Sequence, residues 1–317
     1  MESFFPEFIS PETKEPLILK EEKLVSPAGK TFPVLKQIPR FISSFNYAEA
    51  FGVQWNKYRQ TQLDSHTKIP LSETRLRRCL GEEAWGSLSE KTVLEAGCGA
   101  GRFTEVLLKK KARVFSVDLS GAVEANQINF PQTETHRIAQ ANILELPFNR
   151  QQFDIVLCLG VLQHTPNPEE TIQRLSEHVK PRGLLVIDHY RFDIWNYLKV
   201  AFFLRLYLKR LRPENSMRIT EKLVKTFLPL HRFVRFSRVL EFLLSRFSPV
   251  LTYYRIFPEL SEALQKEWAF LDTYDSLTDY YKHMRTKSQI RKALERARMQ
   301  VLYCEYGGNG VEARARA

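Results

Sequence analysis

Gly97, Gly99 and Gly101 stand at alternate positions directly after the apolar run Val93-Leu94-Glu95-Ala96. Glycine lets a chain turn tightly after a strand and lets a ligand come close to the backbone. A helix beginning near Gly101 then places its N-terminus beside that ligand. The next apolar run, residues 113–117, ends in Asp118, 17 residues after Gly101. A carboxylate there accepts hydrogen bonds from two ribose hydroxyls, so the pattern points to a nucleoside-containing ligand. The spacing is GxGxG rather than the GxGxxG of a pyrophosphate loop, and Glu95 precedes the first glycine by two residues. A carboxylate at Glu95 disfavours a pyrophosphate and suits a ligand with a positively charged amino-acid end.

Such a loop needs a strand before it and a helix after it, and the surrounding sequence supplies both. From Thr92 short apolar runs alternate with helical stretches: TVLEAG, a helix over 102–110, ARVFSVD, a helix near 121–129, FDIVLCLG, a helix over 168–179, and GLLVIDHY. Strands separated by helices of this length predict βαβ units, a parallel sheet and an α/β fold. Residues 1–45 are punctuated by prolines and predict a small hairpin-rich module with strands near 17–19, 23–26 and 31–35. Residues 46–91 read as a helical preface to a core over 92–191. Residues 192–284 read as a helical insertion. Residues 285–317 return to the core pattern: a helix over 288–298, a strand over 300–306, a turn and a last strand over 311–315. The turn holds Gly307, Gly308, Asn309 and Gly310, residues that take positive φ readily, as a tight hairpin demands.

The charge is uneven. The 317 residues carry 47 Lys/Arg and 36 Asp/Glu, a formal net charge of +11. Residues 1–190 are balanced at 23 of each sign, whereas residues 191–255 hold 14 basic and 4 acidic residues. One 65-residue stretch therefore carries a local electrostatic device. A hydrophobic content of 44% excludes a disordered tail. Cys79, Cys98, Cys158 and Cys304 lie far apart without a CxxC pair, which argues against a zinc site of usual spacing and against a disulfide scaffold. The start, MESFFPEFISPETKEP, is acidic and lacks the pattern of a secretory signal, and no window approaches the ~18 apolar residues of a spanning helix. A cytoplasmic protein is expected.

Within the basic stretch, residues 192–212 place Ile194, Val200, Ala201, Leu204, Leu208 and Leu211 on one helical face. Lys199, Arg205, Lys209, Arg210 and Arg212 fall largely opposite. Residues 230–247 repeat the scheme, with Phe233, Phe236, Leu240, Leu243 and Phe247 against Arg232, Arg235 and Arg238. Four roles are open to this insertion. It is a cap whose apolar face covers the sheet edge, a peripheral contact with an anionic membrane through residues 192–250, a guide for an acidic substrate, or a nucleic-acid surface. Nucleic acid is disfavoured, because the aromatics follow the apolar face and do not interleave with the bases as a stacking platform.

The segment VLEAGCGAGRFTEVL resembles the first motif of the class I S-adenosylmethionine-dependent methyltransferases, and VFSVDLS resembles their second-strand motif. ANILELPF resembles the adenine-side segment, and FDIVLCLGVLQHTPNPEETIQRLSEHVKPRGLLVI resembles the fourth strand, following helix and fifth strand. The resemblance implies a Rossmann-like fold, a mostly parallel seven-stranded sheet whose last strand is antiparallel, and S-adenosyl-L-methionine as cofactor. It implies that Gly97, Cys98, Gly99 and Gly101 wrap the cofactor, with Glu95 near its methionine portion and Asp118 on the ribose. Leu119, Asn142 and Ile143 would border the adenine. Leu159 and Gly160 would contribute backbone around the methionine portion, with Gln163 and His164 close to the open side. Arg182 in KPRG departs from the glycine usual in relatives. Residues 9–42 resemble a zinc-ribbon module fused to some bacterial members, but Ser10, Thr13, Ser26 and Gly29 replace its four cysteines, so no bound zinc is expected. The segments AFGVQWNKY, WAFLDTYDSLTDYYKHMRT and GGNGVEARARA match the same subgroup.

Methyl transfer from a sulfonium is an in-line displacement that demands alignment and exclusion of water, without a metal. A hydroxyl acceptor benefits from a base, and His164 is the first candidate because it follows the fourth strand at the carboxyl edge; it is equally a cap for the turn before Pro166. His189 and Tyr190 end the fifth strand at the same edge, and Tyr281 and His283 are further candidates. The expected reaction is methyl transfer to an oxygen or nitrogen of a small-molecule acceptor: a sugar, a lipid-linked or a secondary-metabolite intermediate. The alternatives are a non-catalytic binding or scaffold protein and an RNA methyltransferase.

Overall fold

A computed structural model describes residues 8–42, 46–194, 199–308 and 310–317. Its N-terminal segment forms four short antiparallel strands, β1 (Ile18–Lys20), β2 (Lys23–Val25), β3 (Thr31–Leu35) and β4 (Ile38–Pro39), paired in that order. Two buried serines shape its turns: Ser10 Oγ accepts the Thr13 N–H and Ser26 Oγ accepts the Lys30 N–H, each at 3.2 Å. Such local side-chain bonds satisfy backbone donors that the turn leaves without a ladder partner. Leu17, Leu24 and Phe32 bury their side chains in the same cluster as Phe115 and Phe148, so the module packs on the core.

Three helices follow: α1 (Glu49–Lys57), α2 (Asp64–Thr67) and α3 (Leu71–Gly86). The alternating region then resolves into β5 (Thr92–Ala96), α4 (Arg102–Lys109), β6 (Arg113–Asp118), α5 (Ala122–Asn129), β7 (His136–Gln140), β8 (Phe153–Cys158), α6 (Pro168–Ser176) and β9 (Val179–His189). After the insertion come α11 (Lys287–Arg296), β10 (Gln300–Gly307) and β11 (Gly310–Arg316), preceded by α7 (Val200–Leu208), α8 (Pro213–Val234), α9 (Arg238–Phe247) and α10 (Glu262–Thr278).

The seven strands lie in the order β10-β11-β9-β8-β5-β6-β7. β5 to β9 pair in parallel, and β11 runs antiparallel between β9 and β10. Continuous apolar runs suit strands that helices cover on both faces. The chain moves outward from β5 to β7 and then returns to β8 on the other side of β5. That reversal opens a crevice at the carboxyl ends of β5 and β8, where open α/β sheets bind ligands. Gly310 takes φ +135°, and a Cβ there would lie 2.3 Å from the His189 carbonyl oxygen, so the hairpin needs glycine where it passes β9. Of the other turn residues, neither Gly307 nor Gly308 takes positive φ, and Asn309 lies outside the described residues. Arg182 holds φ +65° in the turn where glycine is usual.

The helical insertion departs from the wheel reading in two respects. Arg205 faces inward rather than outward: it is 8% exposed and pairs with Asp279 through Nε, while its Nη2 donates to the carbonyl oxygens of Asp279 and Tyr280 at 2.7 and 3.2 Å. Ile194 and Val200, assigned to the apolar face, are exposed, and residues 195–198 lie outside the described residues. The second amphipathic face covers no sheet edge, because α9 buries none of its residues. The insertion instead packs through α8 and α10, where Met217, Val224, Phe270 and Tyr274 form a cluster against which Ala50, Val53 and Tyr58 of the helical preface also pack. Among the described residues no helix is long and apolar enough to cross a membrane.

Removing one partner of a buried ion pair strands the other charge. Arg205→Leu is therefore expected to destabilise the fold by ~3 kcal/mol or more, whereas Arg210→Leu on the exposed side stays within ~0.5 kcal/mol. Urea denaturation midpoints decide; equal losses would contradict the inward assignment.

Candidate active site

The loop after β5 is built as its glycines require. Gly97, Gly99 and Gly101 take φ values of +85°, +51° and +98°. A Cβ on Gly97 would lie 2.2 Å from the Val161 side chain, and one on Gly101 would lie 2.7 Å from the Phe130 ring. The N–H groups of Gly97 and Cys98 both donate to the Val117 carbonyl, at 2.7 and 2.9 Å, which ties the loop to the end of β6. Asp118 tightens that tie. One carboxylate oxygen accepts the Gly99 N–H at 2.9 Å, and the other accepts the Ser120 N–H and hydroxyl at 2.8 and 2.7 Å. Burial pushes this carboxyl up, and the bonds from Ser120 and Gly99 oppose the shift.

A cavity of about 960 Å³ opens at these carboxyl ends and continues under the helical cap. Pockets of this size sit at the upper end of the ~300–1,000 Å³ usual for small-molecule sites, enough for a cofactor and an acceptor together. Its wall contains Gly97, Cys98, Gly99, Asp118 and Leu119 on one side and Leu159, Gly160, Gln163, His164 and Tyr190 on the other. Asn142 and Ile143 line it between these sides; the Asn142 side chain accepts the Leu144 N–H at 3.0 Å and so shapes its own turn. Trp55, Tyr253, Phe257 and Trp268 cover it, with Tyr253 and Phe257 stacked and Trp268 edge-on to both.

Five of the expected residues lie outside this wall. Gly101 begins α4 behind the loop. Glu95 is 2% exposed beneath it, accepting hydrogen bonds from the hydroxyls of Thr104 and Ser116. His189 is wholly buried, donates from Nδ1 to the Tyr190 carbonyl at 2.9 Å, and is pushed down to about 4 by burial. Tyr281 offers its backbone oxygen to His164 and its ring to Tyr47, and the His283 N–H donates to the Gln163 carbonyl at 2.9 Å.

His164 sits within an acid–base cluster assembled from distant segments. Its Nδ1 lies 3.2 Å from the Tyr281 carbonyl oxygen and 3.4 Å from Asp279 Oδ2, and its Nε2 lies 4.0 Å from Asp275 Oδ1. Among the described residues, neither His164 Nε2 nor Asp275 Oδ1 has a hydrogen-bond partner. Burial lowers the affinity of His164 for a proton, although Asp279 opposes this. Burial and the charge of Asp279 push the Asp275 carboxyl up to about 7, and burial pushes Asp272 up to about 6. His164, Asp275 and Asp279 could together reach one ion. Asp279, however, already carries Arg205 and Lys282 as cationic partners, so its charge is met from within the protein.

Asp275, Asp279, Arg205 and Lys282 escaped the sequence reading. The spacing Asp272, Asp275, Asp279 places three acids along one helical face, and that was the available signal. Arg75 and Asp188 escaped it too. Asp188 is wholly buried, pairs with Arg75 and accepts the Gly160 N–H at 2.6 Å, fixing the segment after β8 against α3.

Glu95 offers a check on the ground beneath the loop. Its carboxyl, ordinarily near 4.5, is pushed up to about 7 by burial, against the hydrogen bonds from Thr104 and Ser116. A carboxyl raised on folding favours the fold fully below its unfolded value and loses that advantage as the pH climbs to its folded value. Glu95→Gln keeps an acceptor for both hydroxyls, so it should match wild-type stability near pH 4 and exceed it by ~3 kcal/mol near pH 8. Denaturation midpoints at the two pH values measure this; the same gap at both would contradict it.

A model of the methyltransferase domain matches residues 94–187. The ubiquinone biosynthesis O-methyltransferase of Nitrosomonas europaea is 30% identical over 173 residues, which cover 49% of this chain and 70% of that protein. The enzyme of the same name from Pseudomonas putida is 34% identical over 148 residues, covering 45% of this chain and 62% of that protein, less than two thirds of its length. A structure of the 1,6-didemethyltoxoflavin-N1-methyltransferase of Burkholderia thailandensis covers 95% of this chain and 98% of its own at 15% identity, with a TM-score of 0.45. On the methyltransferase domain match and the relative covered over 70% of its length, the chain belongs to the class I S-adenosylmethionine-dependent methyltransferases.

Proposed function

We propose that the protein methylates a hydroxyl oxygen of a small, largely apolar acceptor, with His164 as general base. The observation that carries this reading is the His164 imidazole in the cavity wall, anchored at Nδ1 and unpartnered at Nε2 among the described residues. The relatives named as O-methyltransferases are consistent with an oxygen acceptor.

The residues of the crevice fit S-adenosylmethionine. Gln163 is wholly buried in the cavity wall, and among the described residues its carboxamide oxygen and nitrogen are both without partners. A buried amide left open on both sides calls for a ligand that donates and accepts, as an amino-acid end does. Asp118 supplies the acid for a ribose, and Leu119 and Ile143 supply an apolar slot for a base. When bound, the cofactor supplies a methyl group on a positively charged sulfur.

The remaining requirements fall to the chain itself. Donation of Nδ1–H to the Tyr281 carbonyl fixes the tautomer in which Nε2 carries the lone pair. Asp279 beside Nδ1 favours the imidazolium that forms when Nε2 takes the acceptor's proton. Burial keeps the imidazole neutral beforehand. The aromatic cover excludes water and so preserves these electrostatic effects.

Tritiated S-adenosylmethionine offered with extracts of the source cell is expected to label a base-stable methyl ether; label in an amine or in RNA would overturn the oxygen assignment. On that acceptor, His164→Gln should lower kcat by ~10²–10⁴-fold while leaving cofactor affinity within a few-fold. The wild-type acid limb of kcat/KM should fall below pH 6.5, the ordinary value of the imidazole, and vanish in the variant. Asp118→Ala should abolish heat of binding in calorimetric titration with S-adenosylhomocysteine; unchanged binding would contradict the assignment of the ribose site.

A further inference from the structure

The helices inserted after β9 carry an apolar surface that nothing in the described residues covers. Phe233 and Phe236 are each 83% exposed, and Leu230, Val239, Phe242 and Phe247 are exposed beside them. Single exposed apolar residues are ordinary, but so many in one 18-residue stretch mark a contact surface. The outward row of α8 turns from basic to apolar along its length: Arg218, Lys222 and Lys225 recur at helical spacing and lead to Leu230 and Phe233.

The charges on this face select the occupant. Among the described residues, Arg218, Lys222, Lys225 and Arg238 are exposed without an ion-pair partner, whereas Glu221 is engaged by Lys57 and Glu241 by Arg255. A second copy of the chain would bring this positive face against itself, which like-charge repulsion opposes. A nucleic acid would meet the bases and leave the aromatic row in water. An anionic bilayer meets both needs, with phosphate headgroups for the bases and the upper acyl region for the aromatics. We infer that α9 and the end of α8 dock on an anionic membrane surface.

The docking face adjoins the cavity. Ser245 on α9 and Ser248, Leu251 and Ile256 after it line the cavity, while Phe242 and Phe247 of the same helix point outward. Docking therefore sets the cavity beside the bilayer, and the acceptor, on the reading of the function given above, is a lipophilic molecule drawn from the membrane.

Flotation of the full-length protein with phosphatidylcholine vesicles, alone and with about 30 mol% phosphatidylglycerol, tests the docking. Wild type is expected to float with the anionic vesicles and to lose at least ~tenfold in partition in high salt. The double variant Phe233→Asp, Phe236→Asp alters two exposed side chains; with unchanged circular dichroism and S-adenosylhomocysteine binding, it should also lose at least ~tenfold. Absence of flotation, equal flotation of the variant, or a wild-type dimer that the variant dissociates would each overturn the proposal. The measurement uses no acceptor, so its failure leaves the assignment of methyl transfer standing, and loss of that assignment leaves the docking result intact.

Discussion

Asp279 has no exposed side-chain surface, and a carboxylate in that position persists only with partners. It draws them from three parts of the chain: Arg205 on α7, Lys282 just after α10 and His164 just after β8. Meeting this one charge decides where the insertion sits. α7 must turn a basic side chain inward, α10 must end beside the carboxyl edge of the sheet, and the segment at Tyr281 must pass His164. The roof of the cavity and the orientation of the imidazole thus follow from the same buried group.

The electrostatic character of the molecule divides along that boundary. Beneath the cap, acids and bases face one another: Asp279 meets Arg205 and Lys282, and Asp188 meets Arg75. Above it, Arg232 and Arg235 share Glu262 and Arg255 meets Glu241, while Arg218, Lys222, Lys225 and Arg238 have no ion-pair partner among the described residues. Most of the net charge of +11 comes from residues 191–255, while the cavity is largely aromatic in its cover and its wall bases Arg75, Arg205 and Lys282 are met by buried acids. Burial favours the neutral imidazole of His164 as the resting state, and Lys282 and Arg205 act in the same direction.

What could be read from the sequence was what local constraint dictates. Positive φ at Gly97, Gly99 and Gly101, the acid ending β6 and the alternation of strand and helix are all settled within about 30 residues. The acid–base cluster was not legible, because His164 and Asp279 are separated by 115 positions and no spacing joins them. The wheel placed Arg205 outward because it weighs side-chain types and knows nothing of a buried carboxylate waiting opposite. It read 230–247 as one helical face, whereas α8 ends at Val234 and α9 begins at Arg238, and a pattern cannot say whether the aromatics meet protein or something else. Glu95 was drawn toward a ligand by its place before the loop; the strand's alternation turns it instead toward Thr104 and Ser116.

On the proposed function, the loop at 97–101 and the edge at 159–164 hold one ligand between them, under the cover that starts at α1. Hydrogen–deuterium exchange of the full-length protein, with and without S-adenosylhomocysteine, measures this directly. Slower exchange in both segments together, and in residues 51–55 above them, is the predicted result. Protection confined to one edge, or exchange unchanged throughout, would contradict it.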